Sequence, residues 1–433
     1  MTEKKTICAI STARGGAIGI IRVSGSQSIS ITDKIFKGKH SLSDTKPFTV
    51  RFGDIVEKNE QGEVYVVDEV LVSVFRAPHS YTGEDCVEIS CHGSSFILQK
   101  VVDLLISNGC EMAKPGEYTQ RAFLNGKMDL SQAEAVADLI SAQNAAMHRV
   151  AMGQMRGAVS KRLAELRKEL LELTSLLELE LDFSEEDVEF ADRERIRLIT
   201  DEIDEEISRL IDSFDTGNAI KNGIPVAIIG APNVGKSTLL NQLLHDDKAI
   251  VSDIQGTTRD IIEDTIVLNG HMFRFIDTAG IRHTSDVIEK MGIERSLKAA
   301  DKAQIIILVT EPGVPFPKIV IRDNQKVIEV INKSEEFQAL TGQGMDWLEQ
   351  ELMKCIPTNS NDDILITNVR HKQCLSLAQE DIRRAKLSID YQMSGDIISE
   401  DLRQCLIHLS EIVGEISSDE ILSNIFKNFC VGK

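Results

Sequence analysis

The sequence of 433 residues lacks the features that mark membrane, secreted and zinc proteins. No apolar run approaches the roughly 18 residues that span a bilayer, and no signal-peptide core follows the first five residues. The eight cysteines include no Cys-x-x-Cys pair. Cys86, Cys91 and His92 lie close together, but no second ligand pair follows them. We therefore expect reduced thiols and a cytoplasmic protein that makes no membrane contact.

Aromatic residues are few, at 5%, and basic residues are outnumbered. The hydrophobic share of 42% and the charged share of 27% are ordinary for a folded protein and exclude extensive disorder. Asp and Glu number 68 against 48 Lys and Arg, which gives a net charge of -20. This balance excludes binding of nucleic acid over the whole surface, so any such contact must use a local patch.

Proline is absent between Pro115 and Pro225 and again after Pro357. Both stretches carry apolar residues at helical spacing, so they predict helical regions on either side of a central segment. That segment, from 224 to 356, alternates strand, loop and helix. Before Pro115, runs rich in Val and Ile predict an α+β domain. The sequence thus predicts an α/β domain inserted into a helical domain, after a separate α+β domain.

The individual elements follow from the same patterns. The predicted strands are Thr6–Ile10, Gly19–Ser24, Val50–Val56, Val64–Phe75, Val87–Ser90, Val226–Ile229, Phe273–Ile276, Ile305–Val309 and Val327–Ile331. The predicted short helices are Gln27–Ile35, Ser94–Ser107 and Thr238–Leu244. Two or three long helices are predicted from Leu130 to about Asp215, with a break near Phe183. A capping box from Ser417 to Glu420 predicts the start of a last helix.

The strongest motif runs from Gly230 to Ser237 and reads Gly-Ala-Pro-Asn-Val-Gly-Lys-Ser. It matches the P-loop pattern, and it stands between a predicted strand and a predicted helix as a P-loop must. Backbone N–H groups of such a loop surround phosphates at a helix N-terminus. Lys236 is then expected to reach the β- and γ-phosphates, and Ser237 to bind Mg²⁺.

Three further motifs follow in the order that a GTPase requires. Gly256-Thr-Thr-Arg-Asp260 stands where switch I belongs, and Thr258 is placed to complete the Mg²⁺ shell. Asp277-Thr-Ala-Gly280 follows a predicted strand, as a Mg²⁺- and γ-phosphate-sensing motif does. Asn332-Lys-Ser-Glu335 stands where guanine is read. The residue after Gly280 is Ile281, which cannot orient the attacking water, so hydrolysis needs another polar group.

Beyond these motifs the chain resembles the MnmE (TrmE) family of tRNA modification GTPases, within the TrmE-Era-EngA type of P-loop GTPase. The resemblance covers nearly the whole chain. It is carried by the four motifs above together with the following segments: Gly19–Gly25, Tyr81–Asp85, Cys91-His-Gly93, Pro115–Lys127, Ile288–Arg295 and the terminal Phe429-Cys-Val-Gly-Lys433.

The resemblance implies a multidomain α+β and α/β protein with a Ras-like domain inserted into an all-α domain. The implied domains are an N-terminal dimerisation and folate-binding domain at 1–118, a helical domain at 119–215 and 358–433, and a GTPase domain at 216–357. It also implies a K⁺-stimulated GTPase that acts with the flavoprotein MnmG (GidA) in a heterotetramer. Together they add an aminomethyl or carboxymethylaminomethyl group to C5 of the wobble uridine of certain tRNAs. The one-carbon donor is a 5-formyl- or 5,10-methylene-tetrahydrofolate.

The resemblance also assigns roles to individual residues. Glu289 is the implied catalytic carboxylate that orients water, and Cys430 is an implied thiol needed for modification. Folate is assigned to Arg22, Glu88, Lys127 and Lys433. Mg²⁺ is assigned to Ser237 and Thr258, and K⁺ to Asn233, Ser252, Ile254 and Thr257. The implied GTP-binding set is Asn233, Val234, Gly235, Lys236, Ser237, Thr238, Ser252, Asp253, Ile254, Gln255, Gly256, Thr257, Thr258, Asp277, Thr278, Ala279, Gly280, Asn332, Lys333 and Glu335.

The guanine-reading segment departs from the family pattern. The family has Asp where this chain has Glu335, and the extra methylene is expected to weaken guanine preference by about 1–3 kcal/mol. The loop that follows this segment in the family is already complete by Gly344 in this chain. A helix and a strand that normally lie between the two are therefore expected to be missing or shortened. Two alternatives therefore stay open: a GTPase switch that binds rRNA or ribosomes, and a folate-binding scaffold with an impaired GTPase domain.

Overall fold

The computed structural model describes residues 5–13, 15–59, 61–182, 193–245, 264–276, 298–323, 325–356, 364–416, 418–427, 429 and 432. The chain divides into two compact units. One unit comprises Met1–Ala137 with Ser410–Lys433, and the other comprises Asp138–Leu409. No helix in the described ranges is long and apolar enough to cross a membrane.

A seven-stranded sheet organises the first unit, in the order β3-β4-β5-β6-β2-β1-β7. Its strands are β1 (Ile7–Ile10), β2 (Ile18–Ser24), β3 (Phe36–Gly38), β4 (Thr49–Lys58), β5 (Val64–Phe75), β6 (Cys86–His92) and β7 (Glu111–Met112). The strands are antiparallel to their neighbours except that β1 and β7 are parallel.

One face of this sheet forms the core of the unit. Alternate residues of the central strands, such as Val72 and Ile89, are fully buried against the helices α1 (Ser28–Ile35) and α2 (Ser95–Ser107). Each such side chain stabilises the fold by roughly 1.5–3 kcal/mol. The residues between them project from the other face, called the outer face here, and they include Arg22, Glu88 and His92.

The helices α3 (Glu117–Leu124), α4 (Leu130–Ser141) and, at the C-terminal end, α12 (Asp419–Lys427) follow this sheet in sequence. Leu130, Leu422 and Phe426 form a small apolar cluster between α4 and α12. The hydroxyl of Ser418 accepts a hydrogen bond from the N–H of Ile421, at 3.3 Å. Ser418 therefore caps the last helix, one residue after the Ser417 that the predicted capping box would place there; Ser417 itself lies outside the described residues.

Helices precede and follow the nucleotide domain in the second unit. They are α5 (Ala145–Met155), α6 (Ala158–Asp182), α7 (Arg193–Asn222), α10 (Val369–Asp390) and α11 (Gly395–Val413). The prediction of two or three long helices up to Asp215 was wrong, because four are present from α4 to α7. The Asn144 side chain caps α5 by accepting from Met147 N–H, and Gly157 has a left-handed φ of 81°. Both features interrupt the helix. The break expected near Phe183 lies outside the described residues.

A five-stranded sheet in the order β12-β11-β8-β10-β9 forms the centre of the nucleotide domain. The strands are β8 (Ile224–Gly230), β9 (Asp264–Leu268), β10 (His271–Phe275), β11 (Ile305–Thr310) and β12 (Lys326–Ile331). The helices α8 (Lys236–His245) and α9 (Met345–Lys354) pack on one face. Strands β12, β11, β8 and β10 are parallel, and β9 is antiparallel.

The expected shortening of this domain is present. Between β12 and α9 the fully described chain forms only a tight hairpin, in which Gln338 pairs with Gln343. The described residues between β11 and β12 form no helix either, and three prolines lie among them. Phe316 and Ile319 of that connection cover the sheet instead. Strand β12 is consequently the edge of this sheet, because no later strand pairs with it in the part of the chain that the structure describes.

Candidate functional site: a P-loop and an arginine–glutamate pair

The loop between β8 and α8 has the backbone shape of a phosphate-binding loop. Asn233 and Gly235 both have left-handed φ values, 63° and 95°. A Cβ on Gly235 would collide with the Asn332 side chain, so only glycine fits at that position. The loop ends directly at the first residue of α8, where free N–H groups and the helix dipole favour anions.

Lys236 is held at the centre of this loop. Its Nζ donates hydrogen bonds to the carbonyl oxygens of Gly230 at 2.9 Å and Ala231 at 2.8 Å. Burial lowers the pKa of Lys236, since the ammonium has lost much of its water. A phosphate would supply the negative charge that compensates for this loss. The cradle and its donors therefore fit a nucleotide's phosphates, and the adjacent Ser237 hydroxyl is the type of oxygen that Mg²⁺ accepts.

On the base side, Asn332 connects two loops that are distant in sequence. Its Nδ2 donates to the carbonyl oxygen of Val234 at 2.8 Å, and its Oδ1 accepts from the N–H of Ala339 at 2.9 Å. Lys333 Nζ donates to the Asn233 carbonyl oxygen at 3.0 Å and pairs with Glu311 at 2.8 Å. The hairpin that follows β12 thus reaches the P-loop without the missing segment.

Glu335 lies on the exposed side of this hairpin. Its carbonyl oxygen accepts a hydrogen bond from Gln343 Nε2 at 2.6 Å, which fixes its backbone position. The residue itself is exposed. The backbone of the hairpin is therefore fixed at Glu335, and the role of its exposed side chain in reading guanine stays a prediction from the sequence.

The substitution Asn332→Ala is expected to destabilise the nucleotide domain by about 2–4 kcal/mol, since Val234 and Ala339 would each lose a buried partner. Denaturant unfolding and GTP affinity should both report the loss. Asn222→Ala is a matched control, because Asn222 is exposed and its amide bonds only to Asn218. Equal stability of the two variants would contradict the bridging role of Asn332.

Many of the predicted nucleotide residues lie outside the described residues. They are Ser252, Asp253, Ile254, Gln255, Gly256, Thr257, Thr258, Asp277, Thr278, Ala279, Gly280 and Glu289, together with Ile281. Their placement stays a prediction from the sequence.

In the first unit, the structure brings Arg22 and Glu88 together across β2 and β6, where they are register partners. Arg22 Nη2 lies 2.8 Å from Glu88 Oε1, and Nε donates to the same oxygen at 3.0 Å. Both side chains are largely buried, with 19% and 27% exposed. The pair is thus a largely buried charged group on the sheet, and Arg22 Nη1 and Glu88 Oε2 are not used in it, so each member retains a polar atom for a ligand.

Two tyrosines flank the Arg22 guanidinium. The ring centres of Tyr81 and Tyr118 lie 5.3 and 5.6 Å from Arg22 Cζ, and Tyr118 Oη donates to the Arg22 carbonyl oxygen at 2.7 Å. Burial raises the pKa of both phenols, so they stay neutral. The chain has only four tyrosines, so finding two of them at one arginine points to a built site. The sequence indicated Tyr81 only as part of a motif and did not indicate a role for Tyr118.

Lys127 contacts the loop that carries Tyr81, and Gly432 of the C-terminal motif contacts the end of β1, the strand beside β2. Lys127 Nζ donates to the Pro78 carbonyl oxygen at 3.0 Å, at the start of the loop that carries Tyr81. Ser11 Oγ donates to the Gly432 carbonyl oxygen at 3.2 Å, and a Cβ on Gly432 would collide with the Ile10 carbonyl oxygen. Ile10 pairs with Ile21, the neighbour of Arg22. Cys430 and Lys433 lie outside the described residues.

The structure gives no support to a zinc site at Cys86, Cys91 and His92. Among the residues that the structure describes, no group of three His, Cys, Asp or Glu side chains could hold a metal ion. Burial raises the pKa of Cys86 to about 12 and that of Cys91 to about 11, so both stay protonated thiols in the core.

The fold and the loop define a P-loop GTPase domain inserted in a helical protein with its own N-terminal α+β domain. Family models agree with this architecture. Residues 6–127 match the model described as the GTP-binding protein TrmE N-terminus, and residues 130–430 match the MnmE helical domain.

Curated relatives named tRNA modification GTPase MnmE match along the full chain. The protein of Bacteroides thetaiotaomicron is 54% identical and covers 100% of both chains, and that of Flavobacterium johnsoniae is 46% identical with the same coverage. The chain belongs to the MnmE family of tRNA modification GTPases. The alignment with the Bacteroides relative runs over 469 positions against 433 residues here, so about 36 positions have no counterpart.

Proposed function

We propose that this GTPase is stimulated by K⁺ and acts with a flavoprotein partner of the MnmG type on C5 of the wobble uridine of certain tRNAs. A reduced folate supplies the one-carbon unit of the (carboxymethyl)aminomethyl group. The observation that carries the folate assignment is the Arg22–Glu88 pair between two tyrosines, near Lys127 and Gly432. The cytoplasm, where tRNA is used, is the proposed location.

The chemistry of this site suits a folate. The carboxylates of a folate tail match guanidinium and ammonium groups, and the amide edge of its pterin ring offers N–H donors to a carboxylate. Arg22 and Lys127 supply the first kind of partner, and Glu88 supplies the second. Lys433 and Cys430 are proposed to join the site because Gly432, between them in the terminal motif, packs on the end of β1.

The outer face of the same sheet supports a homodimer. Val50, Phe52 and Leu71 project from it and are between 50% and 65% exposed. The registers place Val50 and Phe52 beside Ser73 and Leu71, so these side chains share one face. Such an exposed apolar patch marks an interface. We propose that a second copy of the chain covers this patch, which lies beside the folate strands.

Hydrolysis requires a group that replaces the glutamine of Ras-like enzymes, since Ile281 cannot orient water. We propose Glu289 for this role. The Asn233 side chain, on the left-handed residue of the P-loop, is proposed to bind K⁺ together with Ser252, Ile254 and Thr257. A bound cation there adds positive charge beside the phosphates as charge develops on them.

The hydrolysis of GTP and of ATP, each in K⁺ and in Na⁺, tests this mechanism on the wild type and on Glu289→Ala. We expect GTP to be preferred, K⁺ to be required, and Glu289→Ala to lower the rate about 10²-fold, which is the usual contribution of a positioned acid–base group. Glu294→Ala is the matched control on the same segment and should keep the wild-type rate.

Other outcomes favour the alternatives. GTP hydrolysis that is indifferent to K⁺ and to Glu289 would contradict the proposed mechanism and favour a ribosome-associated switch. Absence of hydrolysis despite folate binding would favour a scaffold with an impaired nucleotide domain. Equal use of GTP and ATP would show that Glu335 does not read guanine.

A further inference from the structure

We propose that the exposed face of α5, together with Lys161 at the start of α6, binds the phosphate backbone of tRNA. The inference deepens the proposed function, since it rests on action at tRNA and locates a surface that the tRNA contacts. A chain with a net charge of -20 can bind RNA only through a local basic patch. The exposed face of α5 has the composition and geometry of such a patch.

The segment between Asp138 and Glu165 contains basic residues and no acidic residue. It is 26 residues long, whereas the overall share of Asp and Glu would place about four acidic residues in a segment of that length. Only two acid-free segments of the chain are longer, 4–32 and 216–245. The first contains Arg22 and the second contains the P-loop, so both carry groups assigned to anionic ligands. The third segment has no such ligand assigned to it.

The exposed face of α5 is presented by a helix that is fixed on its other side. Gln154 is buried, and its Nε2 donates to the Leu365 carbonyl oxygen at 3.2 Å and to Thr367 Oγ1 at 3.0 Å. Arg149 and Arg156 are exposed. They are seven residues apart, so they share one side of the helix and are separated by about 10.5 Å along its axis. Two cations at that separation fit a row of phosphates better than a single small anion.

Lys161 continues the basic face beyond the turn at Gly157. It is exposed, and within the part of the chain that the structure describes neither Lys161 nor Arg156 has an acidic partner. The next basic residue, Arg162, is instead neutralised by two glutamates. Lys161 is the fourth residue of α6, where the positive end of the helix dipole disfavours a cation. Helix stability therefore does not account for this lysine.

Gly153 leaves space for a ligand between the two arginines. It lies in the interior of α5, one turn from both Arg149 and Arg156. A Cβ at this position would meet nothing within 4 Å, so packing among the described residues does not require a glycine. Glycine is also less stable than alanine in the interior of a helix. A glycine at such a position allows the backbone of a ligand to approach the helix closely.

The chemistry of this face is suited to phosphates and not to bases. No Phe, Tyr or Trp lies between Asp138 and Glu165, so no aromatic ring can stack on an unpaired base there. Arginine and lysine bind phosphate oxygens through charge-assisted hydrogen bonds. Contacts of this kind position a nucleic acid without reading its sequence. We therefore expect tRNAs with different anticodons to bind this face equally well.

The test measures the affinity of the full chain for a tRNA transcript over a series of salt concentrations. The variant combines Arg149→Gln, Arg156→Gln and Lys161→Gln. The slope of log affinity against log salt should fall by roughly 2 to 3, because each phosphate contact contributes about 0.7 to 0.9. At about 50 mM salt the same term predicts a loss of affinity of about 10²- to 10³-fold. GTP hydrolysis should stay at the wild-type rate.

A matched control removes the same charge elsewhere on the helices. It combines Lys168→Gln, Arg209→Gln and Arg403→Gln, at three exposed residues that each lie beside a glutamate. The control should keep the affinity and the slope of the wild type. Gly153→Leu is a second test that changes no charge. The urea midpoint should be equal or higher, since leucine is a better helix former, and tRNA affinity should fall about tenfold because the side chain blocks close approach.

Several results would overturn this inference. One is wild-type affinity and slope in the triple variant, and another is an equal loss in the matched control, which would reflect net charge alone. Unchanged tRNA binding with weaker binding of the flavoprotein would assign the face to a protein partner instead. A wild-type chain that does not bind tRNA would also contradict it. The proposed function fails separately, if the reconstituted complex with the flavoprotein does not modify tRNA.

Discussion

Replacement of Lys236 by alanine is expected to lower GTP hydrolysis at least about 10³-fold. Its ammonium group is held inside the P-loop by the carbonyl oxygens of Gly230 and Ala231, within the loop that would surround the β- and γ-phosphates. A preorganised donor of this kind contributes about 10²–10³ in rate when it meets developing charge. The same group also binds the ground state, so affinity should fall as well.

For Lys236→Ala, nucleotide affinity and the single-turnover rate of hydrolysis should be measured separately. The two values show how much of the lost activity comes from weaker binding and how much from slower hydrolysis. Lys302→Ala is a matched control, because Lys302 is an exposed lysine of the same domain. The fold should tolerate Lys236→Ala, since the residue is the first of α8 and its hydrogen bonds are only to its own loop. Hydrolysis within tenfold of wild type would contradict the assignment of the loop.

Replacement of Arg22 by alanine is expected to weaken folate binding by about 10²- to 10³-fold. The substitution removes a charged partner of the ligand and leaves the largely buried Glu88 carboxylate unpaired. Loss of one member of a buried ion pair costs about 2–5 kcal/mol, and the tyrosine rings would lose the cation that they flank. Equilibrium dialysis with 5-formyltetrahydrofolate measures the change.

The controls for Arg22 separate binding from folding. Arg51→Ala removes an arginine of β4 that bonds to Thr45 and whose strand partner is Val72, so it belongs to the other face of the sheet. It should leave folate affinity unchanged. Arg22→Lys keeps the charge but not the two-nitrogen contact with Glu88, so an intermediate loss is expected. If Arg22→Ala bound folate as wild type does, the proposed site would be wrong.

Several elements could be read directly from the sequence. The strand from Val64 to Phe75 agrees with the structure at both ends, and the other predicted strands differ from the observed ones by three residues at most. Alternation of apolar residues determines these elements locally. The helix count between Leu130 and Asp215 was wrong because Asn144 and Gly157 act through backbone conformation, which leaves the apolar spacing undisturbed.

The residues of the candidate sites also fall into those that the sequence located and those that it did not. The P-loop is contiguous, so its motif alone located Lys236 and Ser237. The sequence also identified Arg22 and Glu88 through the family resemblance, but it contained no sign that they pair with each other. That contact depends on the register between β2 and β6, because Arg22 and Glu88 are 66 residues apart in the sequence.

By itself the sequence determined the order of the domains, the phosphate-binding loop and the membership of the family, because each depends on residues that are close together along the chain. Only the tertiary structure decided that Asn332 connects the P-loop to the hairpin at Ala339, that Tyr118 supports Arg22, and that Asp68 orients His92. The physical reason is that each of these contacts joins residues brought together by strand register and packing, and such contacts leave no periodic or contiguous pattern in the sequence.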